Sequence, residues 1–486
     1  MELRHVHFVR LARAVISARI SLALIVALIL LRAVMAGLLP LSADEAYYWL
    51  WSQHLSPGYY DHPPAIAWLI RAGTALFGDT PFGVRFAGLV LSLPASWFVW
   101  QSAALFLKDE NRAALAALLF NLTLMISVEL LAATPDMPSV VASAAFVYFL
   151  AKVQQSGNGR WWLAVGVAAG LGLLSKYSAL FLGLGTLLWL LVDGRQRKWL
   201  ATVWPYLGGA VALLIWAPHL VWQAQHQWMT FAFQFGRVGG GEFTLKYLGE
   251  FLGAQLGLAT PLIFLLMVIG LWRASRRGSD TLVLAVLVWT CVAYFLQHSL
   301  HDRVQGNWPC FLFPALAILA ADAFSVTGKA RWLSFAAAPL AALLLLLTYA
   351  QAQFGVIPLK KDPLARILGR NFQPVGDVVE ALTRARVADA ILTTDYETTA
   401  WLRFNHRAVR VIQINEPQRY LWAPAADGAL LKGRLYYLAE ARRDRRSDFP
   451  AAFASVSLPT QLQSPAALYN LYQVGQPKSS TLGKMP

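Results

Sequence analysis

Apolar runs long enough to reach across a bilayer recur along this chain, and that repeated length restricts what it can fold into. A helical span needs about 20 mostly apolar residues. Candidates lie near 14–37, 82–107, 112–133, 137–152, 161–175, 178–192, 199–220, 250–271, 281–298, 308–324 and 331–350, the two on either side of Lys176 being short. Only 14% of the residues are charged, against roughly 25% in soluble domains. The expected fold class is therefore mainly α, a polytopic membrane protein of 11 to 13 transmembrane helices.

The net charge of +15 would suggest a nucleic-acid partner in a soluble chain, but in a membrane protein basic residues collect in cytoplasmic connections. With the N-terminus cytoplasmic, the connections on its side hold Arg4, Arg10, Arg13, Arg19, Lys108, Arg112, Lys152, Arg160, Arg195, Arg197, Lys198, Arg273, Arg276, Arg277, Lys329 and Arg331. The outer connections hold Arg71, Arg85, Lys176, Arg237, Lys246 and Arg303. The excess of 16 over 6 makes the charge largely topogenic, and no nucleic-acid partner is expected. Val15–Gly37 is too long for a signal-peptide core and reads as a first span that stays attached. Cys291 and Cys310 show no disulfide, zinc or redox spacing.

This sidedness places nearly every costly polar residue on the outer face: Asp44, Glu45, Asp61, His62, Glu129, Asp136, Lys176, His219, His226, His298, His301, Asp302 and Arg303. Ionisable groups at a membrane that converge in this way mark a functional site. The first outer loop, 38–81, should carry two juxtamembrane helices joined at Pro57-Gly58. After Gln351 the charge is denser, with 18 Lys and Arg against 11 Asp and Glu. Helical spacing over 375–390 and 396–404 and strand patterns at 390–394, 409–414, 435–439 and 468–474 predict a small α/β periplasmic domain over 351–486, with a loose tail after Gln476. Residues 1–350 would form the transmembrane domain.

Each candidate has a structural alternative. Ser42 with Glu45 three residues on is a capping box, so Glu45 could be a cap and Asp44 a charge suited to the helix N-terminus. Asp61-His62 is fixed before Pro63-Pro64, though a histidine in such a turn can be purely structural. Asp136, in Thr-Pro-Asp-Met-Pro, could position substrate or serve as a turn aspartate, and Glu129 could be a satisfied buried carboxylate. Lys176 could bind an anion or snorkel to the interface. His219, Trp222 and their aromatic neighbours could anchor the interface or wall an isoprenoid groove. Two histidines and an aspartate in 298–302 leave a divalent metal open.

These motifs in this order resemble the membrane glycosyltransferases of the protein O-mannosyltransferase superfamily (glycosyltransferase family 39), in particular the lipid A aminoarabinose-transferase branch. The resemblance rests on the acidic pair after span one, Asp61-His62-Pro63-Pro64, Thr134-Pro135-Asp136, Leu174-Ser175-Lys176-Tyr177, and Pro218-His219 with Trp222, His226 and Trp228. It covers roughly residues 15–350 and, more weakly, the tail. It implies inverting transfer of one sugar from a polyprenyl-phosphate donor, such as undecaprenyl phosphate, to a cell-envelope acceptor such as lipid A or lipopolysaccharide. The reaction would occur on the periplasmic face of the bacterial inner membrane.

By motif position Asp44 is the implied base, with Glu45 and Asp136 as further catalytic candidates. Lys176, Arg303, Arg85 and His62 are candidates for the donor phosphate, and Asp61, Tyr59, Tyr60, His219, Trp222, His301, Asp302 and Asn307 for substrate. No cofactor is required in such a family. That branch has a lysine before Pro-Pro where this chain has His62, which supplies no fixed charge when neutral; weight shifts to Lys176 and Arg303. The rival classes are a flippase of lipid-linked sugars, which would be expected to show inverted repeats, a protein O-glycosyltransferase, and a non-catalytic scaffold.

Overall fold

The structure, a computed structural model, describes residues 17–236, 241–276, 278–325, 327, 331–370, 372–464, 467–479 and 482–486. Arg4, Arg10, Arg13, Arg237, Arg277 and Lys329, used above to argue sidedness, lie outside the described residues.

In chain order the first helices are α1 (Ala18–Leu38), α2 (Ala43–Gln53), α3 (Ala65–Phe77), α4 (Pro81–Leu107), α5 (Glu110–Leu122), α6 (Leu124–Glu129), α7 (Asp136–Ser156) and α8 (Trp161–Ser175). There follow α9 (Ala179–Val192), α10 (Trp204–Gln225), α11 (Met229–Phe235), α12 (Lys246–Leu258), α13 (Pro261–Ala274), α14 (Leu282–His298), α15 (Phe313–Ala323) and α16 (Arg331–Phe354). Among the described residues five of these, α1, α4, α7, α10 and α16, are long and apolar enough to cross a membrane. Helices also occupy the other candidate spans, but as shorter pieces.

Two expected spans are broken. The run 112–133 divides at Thr123, whose extended backbone ends α5 and whose Oγ1 accepts from Ile126 N to start α6. The run 250–271 divides at Thr260, where α12 and α13 meet at 105°. Pro261 takes the first turn of α13, where its missing N–H costs nothing. Thr260 absorbs the bend at φ +64°.

The chain forms two compact units, one comprising residues up to Ala36, Asp61–Leu69 and Arg85–Thr348, the other Gly37–Tyr60, Ile70–Val84 and Tyr349–Pro486. Within the first, α8 and α10 pack backbone to backbone. A Cβ on Gly166 would collide with the Gly208 carbonyl, one on Gly208 with the Trp162 carbonyl, and one on Gly170 would lie 2.8 Å from Ile215 Cβ. Small residues four apart allow this approach, which drives helix pairing where lipid removes the hydrophobic incentive.

The connections that the charge pattern groups together also meet in space. Asp280 Oδ2 lies 3.5 Å from Lys108 Nζ and Asp280 Oδ1 3.4 Å from Arg195 Nη1, and its carbonyl accepts from Gln154 Nε2. Arg112 and Arg273 both donate to the Asp322 carbonyl.

Helix α1 carries a charge within its apolar run. Arg32 is 1% exposed. Its Nη1 donates to Asn121 Oδ1 at 3.0 Å and its Nη2 to the Asn121 carbonyl at 3.0 Å, with Ser92 and Ser127 hydroxyls at 3.4 Å. The break at Thr123 leaves helix-end carbonyls without intrahelical partners, and Arg32 satisfies one of them.

The second unit contains α2 and, in the C-terminal segment, α17 (Pro363–Ile367), α18 (Gln373–Arg384) and α19 (Tyr396–Asn405). It also holds β1 (Ala390–Thr393), β2 (Val411–Gln413), β3 (Leu435–Glu440), β4 (Thr460–Gln463) and β5 (Leu468–Val474). The sheet order is β2-β1-β3-β5-β4, parallel across the first three strands and antiparallel thereafter. Strand β4, mostly exposed, has no alternation that would have announced it. The tail is not loose where it is described: Lys484 exchanges two 2.8 Å backbone hydrogen bonds with Gln413, covering the β2 edge that would otherwise be an open template for pairing.

Candidate functional site

The acidic helix α2 is built as its sequence predicts. Ser42 Oγ accepts from Glu45 N at 3.3 Å, while Glu45 Oε2 accepts from Ser42 N at 2.9 Å and Ser42 Oγ at 3.0 Å, closing the capping box. Glu45 is 1% exposed, so one of its oxygens is committed to the helix start. The same turn points Asp44 outward, exposed at the positive end of the helix. Asp44 Oδ1 accepts from the phenol of Tyr396 at 2.9 Å. Burial, and then the Asp44 charge, push the Tyr396 phenol well above its ordinary range, so it remains a donor at physiological pH.

Arg419 lies over the rings of Tyr396 (4.8 Å), Tyr60 (5.6 Å) and Tyr47 (5.8 Å) and pairs with Glu416 Oε1 at 3.1 Å. Tyr59, expected to bind substrate, stacks on Trp51 at 4.2 Å and spends its hydroxyl on the carbonyls of Trp51 and His54 and the N–H of Ser56. It closes the turn after α2.

The first unit holds a second cluster. Asp136 stands at the N-terminus of α7, 3% exposed. Its Oδ1 is 2.7 Å from Lys176 Nζ, its Oδ2 accepts from Asn307 Nδ2 at 2.8 Å, and Cys310 Sγ donates to Oδ1 at 3.0 Å. Lys176 follows the C-terminus of α8. The dipoles of both helix ends favour this arrangement. Three sequence candidates, Asp136, Lys176 and Asn307, thus converge, and Cys310, set aside in the sequence, joins them. Glu129 Oε2 accepts from Thr134 Oγ1 at 3.2 Å.

Other candidates make contacts of their own. Arg303 is exposed and pairs with Glu250 at 2.9 Å. Asp302 Oδ1 accepts from the N–H of Arg303, and His301 Nδ1 is 3.3 Å from the Gln297 carbonyl. Arg85, 2% exposed, donates to the Ala36 carbonyl. His219 is buried in a knot with Tyr177 OH at 2.7 Å and Gln223 at 3.2 Å, and Trp222 stacks on His226. Gln234 Nε2 reaches the Asp61 carbonyl and lies 3.5 Å from His62 Nδ1. Among the described residues no group of three His, Cys, Asp or Glu side chains could hold a metal ion.

Tyr396 and Arg419 had no signal near Asp44 in the sequence; they come from the far end of the chain. Arg32 and Cys310 did have one, a charge in an apolar run and a thiol two residues after a tryptophan.

The helices in the membrane-crossing range make this a multi-pass membrane protein, and its fold is that of ArnT from Cupriavidus metallidurans in the apo state. The likeness has a TM-score of 0.64 at 17% identity and covers 93% of this chain and 97% of that one. Residues 61–222 match the family model described as dolichyl-phosphate-mannose-protein mannosyltransferase.

In sequence the chain is 30% identical to the lipid A galacturonosyltransferase RgtD of Rhizobium johnstonii over 57% of its own length and 59% of RgtD's. It is 25% identical to an undecaprenyl phosphate-alpha-4-amino-4-deoxy-L-arabinose arabinosyl transferase of Pseudomonas fluorescens over 54% of its own length and 49% of that protein's. The matches therefore span about half the length of these curated relatives. These similarities fall in the same group of proteins that the motifs resemble.

Proposed function

We propose that this chain is an inverting glycosyltransferase of the bacterial inner membrane, moving one sugar from a polyprenyl-phosphate donor to an envelope acceptor of the lipid A or lipopolysaccharide type. The observation that carries this reading is Asp44: an exposed carboxylate on a capped helix, held by a phenol, at the motif position that the resemblance gives to the base. The names of the relatives, a lipid A galacturonosyltransferase and an undecaprenyl phosphate-aminoarabinose arabinosyl transferase, support the choice of donor and acceptor classes.

In the reaction the acceptor hydroxyl oxygen attacks the anomeric carbon from the face opposite the phosphate. The bond from that carbon to the phosphate oxygen breaks with inversion, and the hydroxyl proton passes to Asp44. The leaving phosphate is already anionic and asks for positive charge rather than a proton. Arg303, a candidate for the donor phosphate, is exposed, and its pair with Glu250 is of the weak, solvent-screened kind. Lys176, neutralised by Asp136, would instead set the electrostatics of that cluster. No metal is needed for these steps.

In this reading about eleven helices serve as spans, the N-terminus is cytoplasmic, and residues 351–486 form a periplasmic α/β domain. The test is purified protein incubated with a panel of undecaprenyl-phosphate sugars and envelope lipids, wild type beside Asp44→Asn. Transfer by the wild type and its loss in the variant are expected. Transfer that survives undiminished removes Asp44 as the base, and the absence of transfer from every donor removes the enzyme reading.

A further inference from the structure

Asp44 is gripped by residues some 350 positions away, through a contact 352 residues long in sequence. Asp395 Oδ1 accepts from Thr398 N at 2.9 Å, which starts α19 and sets Tyr396 in its first turn. Helix α19 then lies along α2. The Tyr396 and Tyr47 rings are 5.2 Å apart, Trp49 meets Phe404 at 5.1 Å, and Trp401 Nε1 donates to the Leu41 carbonyl at 3.3 Å. Asp79 joins the same arrangement, accepting from Trp49 Nε1 at 2.8 Å and from Arg407. These contacts seat the Tyr396 ring against α2 with its hydroxyl on Asp44.

We propose that Tyr396 is a positioning residue for Asp44: its phenol holds one carboxylate oxygen so that the base presents a single orientation to the acceptor hydroxyl. Arg419 lies 4.8 Å from the centre of the same ring. The C-terminal segment is then part of the machinery that prepares the base. This rests on the reading of Asp44 as the base. A base turned away from its attack geometry loses rate even when every group is still present.

The test uses the full-length protein with the undecaprenyl-phosphate sugar and envelope lipid that the wild type turns over best. Tyr396→Phe removes one oxygen and leaves the ring packing in place. It is expected to lower kcat roughly 10–100-fold, with KM for the donor within about twofold of wild type and the melting temperature unchanged. A kcat equal to that of wild type, or a loss carried by KM or by the melting temperature, overturns the proposal. A wild type that transfers no sugar from any donor overturns the proposed function instead, and it is recognised before any variant is compared.

Discussion

Lys176 Nζ and Asp136 Oδ1 are 2.7 Å apart, with side chains only 14% and 4% exposed. Removing one partner of such a buried pair strands the other and costs about 3–5 kcal/mol, whereas removing both costs less. Lys176→Met and Asp136→Asn should each lower the unfolding midpoint in detergent strongly, and the double variant should be more stable than the two losses combined predict. Additive losses would show that the two charges are independent.

The neighbours Asp44 and Glu45 should separate cleanly. Glu45→Ala opens the capping box and should cost about 0.5–2 kcal/mol of stability, with transfer retained once the protein is folded. Asp44→Asn should do the reverse, leaving the melting temperature in place and abolishing transfer. Parallel melting curves and transfer assays read the two effects.

A pH effect is expected in the C-terminal segment. Hydrogen bonding to the His406 ring holds the Glu380 carboxyl below its ordinary 4.5. A depressed carboxylate contributes stability that is fully present above its unfolded value and is lost as pH falls through the folded one. The stability advantage of wild type over Glu380→Gln should therefore be constant at neutral pH and shrink below about 4.5, as followed by thermal melts across a pH series. An advantage that grows on acidification contradicts the assignment.

Thr260 holds φ +64° at the 105° junction of α12 and α13. Its backbone, with ψ 135°, lies in a region that side chains rarely adopt, at a cost of order 1–3 kcal/mol. Thr260→Gly should relieve part of it and raise the melting temperature, whereas Thr260→Val should lower it.

How much of this was legible in advance depended on the range of the signal. The grouping of connections was, because the alternation of basic residues is a property of the whole chain; Lys108, Arg195 and Asp280, from connections that the alternation puts together, meet. Asp136 and Lys176, 40 residues apart, were each visible as an expensive charge at a turn, but nothing in either turn said that they pair with each other. The breaks at Thr123 and Thr260 were hidden because hydropathy averages across a bend. Tyr396 could not be matched to Asp44, since no local periodicity encodes a contact between a loop after the first span and a helix near the end of the chain. Arg32 is inconspicuous for a different reason: one arginine barely lowers the apolar character of a 21-residue helix.

The glycine contact between α8 and α10 has a mechanical meaning. Because Gly166 and Gly208 meet without side chains between them, the two helices have no soft layer along which to slide. Tyr177, just past the end of α8, and His219 on α10 are therefore locked at 2.7 Å. The glycine seam thus sets the register in which Tyr177 and His219 meet.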